Sequence, residues 1–154
     1  MIKIQLIPAS AQGLNLRKIL KKEEWRHISR VVRFASDGYC EYCGEQYNPV
    51  ELHAHEEWKF DKKRRRMRLK DIVGICPLCH EAVHIGRTRA VCGEAEFVKV
   101  ANHYMLVNNC SYEQFGADLE KAYKKCKKRS GVKWKLDVSK KDVEKILARK
   151  QEAA

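Results

Sequence analysis

Apolar and polar residues alternate over Ile2-Lys3-Ile4-Gln5-Leu6, the period of a half-buried strand, and Pro8 closes the run. From Lys22 onward Trp25, Ile28, Val31, Val32 and Ala35 recur every three or four residues, which predicts a helix with one stripe on a core until Asp37-Gly38 stops it. Two more strands are expected over 50–58 and 67–75, separated by a polar, highly charged turn and followed by a short helix through His84 to about Gly86. Phe97, Val100, Ala101, Tyr104, Met105 and Val107 predict a helix ending at Asn108-Asn109, and Ser111 is placed to cap another reaching about Arg129. Val132-Lys133-Trp134-Lys135-Leu136 alternates like the opening run and is expected to pair with it. Ser139 and Asp142 mark a last helix toward Lys150, with 151–154 fraying.

This order predicts an α+β fold in which a central strand-strand-helix unit is flanked by several helices and a small two-stranded pairing of the terminal segments. No internal repeat, low-complexity tract or long linker divides the chain, so one domain is expected over 1–154. Within it lie a strand and helix over 1–37, the central unit over 38–86 and a helical region with a basic surface over 87–154.

Composition narrows the function. Lys and Arg number 32 against 20 Asp and Glu, a formal net charge of +12, and 44% of the 154 residues are hydrophobic. No window approaches a membrane span, and the opening residues lack the apolar core of a signal peptide, so a cytoplasmic protein is expected. The basic excess points to a polyanionic partner, most simply nucleic acid.

Of seven cysteines, four form two Cys-x-x-Cys pairs, Cys40/Cys43 and Cys76/Cys79, with Gly44 or Pro77 beside each. Four thiolates at that spacing can close a tetrahedron around structural zinc and staple the base of the intervening hairpin; disulfides or a redox pair are the competing readings. Binding energy on the order of 10–16 kcal/mol in zinc-finger peptides would then contribute directly to folding. Cys92, Cys110 and Cys126 read as ordinary core or surface thiols.

His80 and His84, four apart on the expected short helix, project from one face. His53 and His55 alternate onto one face of the preceding strand, so a third imidazole is within reach. Three imidazoles can bind a divalent metal and leave positions for water and a phosphate oxygen.

At these residues the chain resembles the HNH endonucleases. The likeness is carried by Cys40-x-x-Cys43-Gly44, Leu52-His53-Ala54-His55-Glu56-Glu57-Trp58 and Ile75-Cys76-Pro77-Leu78-Cys79-His80-Glu81-Ala82-Val83-His84, about the middle third of the chain. The knuckles with a His directly after the last Cys are similar to the zinc-containing branch, and the His-x-x-x-His pair to that of colicin DNases. The resemblance implies a ββα-metal core over 38–86, a catalytic divalent metal (Mg²⁺, Mn²⁺, Ni²⁺ or Zn²⁺) on His55, His80 and His84, and hydrolysis of DNA phosphodiester bonds by nicking or double-strand cleavage. It also implies a phage or mobile-element setting. The family's general-base His falls on Glu56 and its middle Asn on Asp71, two departures. Register favours Glu56 as the group that activates water, whereas strand alternation favours His53. Trp58 reads as a core anchor, with Glu57 and Glu81 solvated.

Between the strands, 59–70 holds eight basic residues and one acid, Asp61. Lys62, Lys63, Arg64, Arg65, Arg66 and Arg68 are the expected DNA contacts beside the active site. A second block over 121–135 carries eight basic residues and no acid, with Trp134 within it. RNA is the alternative nucleic-acid partner, and a non-catalytic zinc module that binds nucleic acid is the alternative function.

Overall fold

In the computed structural model, which describes residues 1–152, helices make up 55% and strands 15% of an α+β fold with six helices and a three-stranded sheet. Helix α1 spans Lys22–Ala35 and presents Ile28 and Val32 to the core, as its periodicity predicts. It ends because Asp37 and Gly38 turn to φ 49° and 81°. At Gly38 a Cβ would stand 2.4 Å from the Tyr47 carbonyl oxygen, so only glycine fits the turn into the first knuckle.

Strands β1 (His53–Asp61) and β2 (Arg66–Ile75) form an antiparallel hairpin in which His53 faces Ile75 and Asp61 faces Arg66. The expected strand start at 50 is corrected: Pro49–Glu51 is a single 3-10 turn, because Asn48 Oδ1 accepts from Val50 N–H and Pro49 occupies the first helical position. Lys70 is left without a partner between the pairs Glu57/Asp71 and Trp58/Leu69, a bulge in β2.

Alternation along β2 divides the interior. Val73 and Ile75 face helices α2 (Pro77–Val83) and α4 (Glu94–Asn108), packing with Leu52, Val83, Val100 and Tyr104. Ile72 faces the other way, onto Leu16, Ile28, Val32 and the Val143 and Ile146 of helix α6 (Lys140–Glu152). The 72–75 end of the hairpin thus lies buried between two helical layers.

Three further expectations are corrected. The opening segment is extended but joins no sheet; Ile2 exchanges hydrogen bonds with the Asn108 side chain at 2.7 and 2.9 Å, and Gln5 N–H donates to the Val83 carbonyl at 2.7 Å. Strand β3, only Lys135–Leu136, pairs in parallel with Arg66 and Met67 of β2 instead, because Trp134 is buried against Ala11 and Met67. The short helix stops at Val83, His84 adopts a non-helical conformation, and a new helix α3 (Ile85–Val91) follows. Ser111 and Ser139 cap helix α5 (Tyr112–Ser130) and α6 as expected. Residues 151 and 152 remain helical, while the rest of the expected frayed tail lies outside the described residues. No described helix is long and apolar enough to cross a membrane.

Candidate metal centres

The first cysteine knuckle leads out of α1, and the second caps α2, where Cys76 Sγ accepts from Cys79 N–H at 3.4 Å. One sulfur from each of Cys40, Cys43, Cys76 and Cys79 lies within 4.8 Å of the others. Cys43 and Cys76 sulfurs are 4.0 Å apart, near the roughly 3.8 Å edge of a tetrahedron of sulfurs about 2.3 Å from zinc, and all four cysteines are free of disulfides. Cys40 Sγ also accepts from Cys76 N–H at 3.3 Å, the kind of amide contact that stabilises thiolate charge. Hydrogen bonds from the Cys76 and Cys79 thiols pull the Cys40 thiol well below its ordinary range, whereas burial pushes Cys43 up to about 12. The donor set and spacing fit zinc, and the four-cysteine cluster is compatible with a zinc-stapled ββα unit.

β1 and α2 bring three histidines together. His55 is buried, and its ring centroid lies 5.4 Å from that of His80 and 5.0 Å from that of His84; the His80 and His84 rings are 5.1 Å apart. One ring nitrogen from each of the three lies within 4.8 Å of the others. Burial, followed by repulsion from neighbouring imidazoles, lowers His55 to about 3 and His80 to about 4, and burial lowers His84 as well. All three rings are therefore neutral at pH 7, the protonation state that can donate a lone pair to a cation.

The other expected site residues divide. His53 is exposed, with Nδ1 3.3 Å from His80 Nδ1, and so borders the triad. Glu56 lines a cleft together with His55, His80 and His84, but Leu16 N–H and Trp58 Nε1–H donate to its two oxygens at 3.3 and 3.1 Å. Burial pushes the Glu56 carboxyl up despite those bonds. Asp71 accepts from Arg149 of α6 at 2.9 Å and does not line the cleft. Glu57, expected in solvent, accepts instead from Tyr42 Oη at 2.7 Å and from Lys70. Glu81 Oε2 is buried and has no hydrogen-bond partner among the described residues.

His80 and His84 look into two adjoining clefts. One, of about 250 Å³, runs along the free edge of β1 past Arg17, Trp25 and Trp58. The other, about 590 Å³, is bounded by Arg87 of α3 and by Tyr123 and Cys126 of α5. Lys62, Lys63, Arg64, Arg65, Arg66 and Arg68 are exposed at the far end of the hairpin, which corrects the expectation that they adjoin the triad. Lys62 lies seven positions beyond His55, about 23 Å at strand rise. Arg64 and Arg68 are also paired, with Asp61 at 3.3 Å and Asp137 at 2.7 Å.

Sequence reasoning missed several contributors. His103 Nε2 of α4 lies 3.1 Å from Cys79 Sγ, and Gln5 reaches His55. Neither carries a local motif, since each meets its partner only through packing of distant elements. Comparison of the chain with protein-family models, curated proteins and solved structures finds no match.

Proposed function

We propose that this chain is a metal-dependent endonuclease of the HNH type that hydrolyses DNA phosphodiester bonds. The observation that carries the reading is the convergence of His55, His80 and His84 at open clefts, on a hairpin and helix held at their base by four cysteines. His55, His80 and His84 would hold the catalytic cation, and Cys40, Cys43, Cys76 and Cys79 a structural zinc. A bound divalent cation supplies Lewis acidity toward a phosphate oxygen and charge stabilisation at the leaving oxygen. Neutral imidazoles suit that role because they bring no negative charge against the incoming phosphate.

Activation of water falls to a group of the chain. We assign it to His53, which is exposed and borders the triad, in place of Glu56, whose two oxygens are already engaged. The phosphate groups beside the triad fall to Arg87 and to the basic face of α5. Lys127, exposed, lies one turn beyond Tyr123 on the helix stripe that walls the larger cleft. The hairpin turn then grips the duplex farther along. Such contacts position the backbone without reading bases.

Supercoiled-plasmid cleavage tests the reading, with EDTA, Mg²⁺, Mn²⁺, Ni²⁺ or Zn²⁺ and with His80→Ala beside the parent chain. Metal-dependent nicking or linearisation that vanishes in the variant supports it. Salt-sensitive binding without cleavage would support the second reading, a non-catalytic zinc module, which the engaged Glu56 and the Asp71–Arg149 pair favour.

A further inference from the structure

Gln5 touches the buried imidazole of the triad: its Oε1 lies 3.2 Å from His55 Nε2. It also lines both clefts beside His84. The residue cannot slide along the site. Its own N–H is bound to the Val83 carbonyl at 2.7 Å, Ile2 is clamped by the Asn108 side chain, and Leu6 packs so closely on Gly86 that a Cβ there would meet Leu6 Cδ2 at 2.7 Å.

A carbonyl oxygen only accepts, so the His55 nitrogen facing Gln5 Oε1 carries the proton. The other nitrogen of the same ring then keeps its lone pair. For His55 this assigns the proton to Nε2 and the free lone pair to Nδ1. Ligating histidines are commonly oriented in this way by a second acceptor on the opposite nitrogen.

We infer that Gln5 is a positioning residue of the histidine triad, one amino acid of the opening segment that selects the tautomer and orientation of His55. The inference rests on the proposed reading of the triad as a cation site.

The test uses the full chain with its cysteine site loaded with zinc, titrated calorimetrically with Ni²⁺. Gln5→Leu is expected to weaken Ni²⁺ binding about 10- to 100-fold, the usual effect of removing an outer acceptor. Gln5→Glu keeps an acceptor oxygen and is expected to bind at least as tightly as the parent. Long-range proton-nitrogen spectra of the same proteins without Ni²⁺ read the tautomers. His55 should be protonated at Nε2 in the parent and in Gln5→Glu, and lose that preference in Gln5→Leu. Parent affinity and tautomer in a folded Gln5→Leu protein would overturn the inference, as would an equal loss in the Leu and Glu variants. If the parent takes up no more Ni²⁺ than His80→Ala, the cation reading itself fails, and the tautomer spectra still decide what Gln5 does.

Discussion

His53 Nδ1 lies 3.3 Å from His80 Nδ1, so the one exposed imidazole of the hairpin touches the half-buried edge of the triad. Glu56, next to His55 in sequence, turns its carboxylate onto Leu16 and Trp58. His53→Ala is therefore expected to lower the cleavage rate by about 10²- to 10⁴-fold, the range for loss of a general base. Glu56→Gln, which keeps an acceptor oxygen for one of the two donors, should retain cleavage within a few-fold. Single-turnover plasmid nicking checks both. The reverse ranking would return the role to Glu56.

The two clusters should respond differently to the loss of one ligand. Cys76→Ala removes a sulfur buried at the base of the hairpin, together with the cap of α2. It is expected to abolish zinc retention and cooperative unfolding, because zinc binding is coupled to folding. His80→Ala should keep stoichiometric zinc and a native circular-dichroism spectrum while eliminating cleavage. An unfolded His80→Ala protein would contradict the division between a structural and a catalytic centre.

Acid should destabilise the fold when the triad carries no metal. His55 and His80 titrate at about 3 and about 4 in the folded chain, below the ordinary 6.5. Between pH 6.5 and 4 the unfolded chain therefore binds protons that the folded chain refuses. Stability is fully present above pH 6.5 and falls as pH drops, by up to about 1.4 kcal/mol per pH unit for each ring. Urea unfolding from pH 7.5 to 5, with zinc content followed in parallel, measures the slope. A flat profile would mean that the rings are protonated alike in both states.

The two basic surfaces should separate in their effects. Arg87→Gln with Lys127→Gln is expected to lower cleavage at saturating DNA. Neutralising Lys62, Lys63, Arg65 and Arg66 should mainly weaken binding. Every cation withdrawn from a phosphate should reduce the salt dependence of binding by about 0.9 in log-log slope. Fluorescence anisotropy at several salt concentrations, beside single-turnover cleavage, distinguishes them. Equal effects of both variants on the cleavage step would remove the special place given to α3 and α5.

Gly38→Ala is expected to destabilise the fold by roughly 1–3 kcal/mol or more, since it meets both a positive φ of 81° and a 2.4 Å approach to the Tyr47 carbonyl. Thermal unfolding with zinc quantified measures the loss. Gly44→Ala provides the comparison, with φ 76° but open space around its Cβ, and should cost less.

Local chemistry was legible wherever neighbouring residues suffice. The stripe of α1 and its stop at Asp37-Gly38, the hairpin, the serine caps of α5 and α6, the two cysteine pairs and the spacing of His80 and His84 all follow from periodicity, backbone freedom and ligand geometry over a few residues. Pairing between distant segments was not legible. The alternation of 2–6 and of 132–136 states that each is extended and half-buried, yet says nothing of its partner; burial of Trp134 on Met67 sends the later segment to β2, and Asn108 and Val83 take the backbone groups of the earlier one. The same holds for charge. The basic run over 59–70 is near His55 in sequence, but an extended strand carries the chain away from the triad by more than 3 Å per residue, whereas Arg87 follows His84 directly and α5 folds back onto the triad from far along the chain. Sequence therefore determines which side chains are available as ligands, and tertiary packing determines which acceptor orients His55 and which face of α5 stands beside the triad, because those contacts join residues separated by tens of positions.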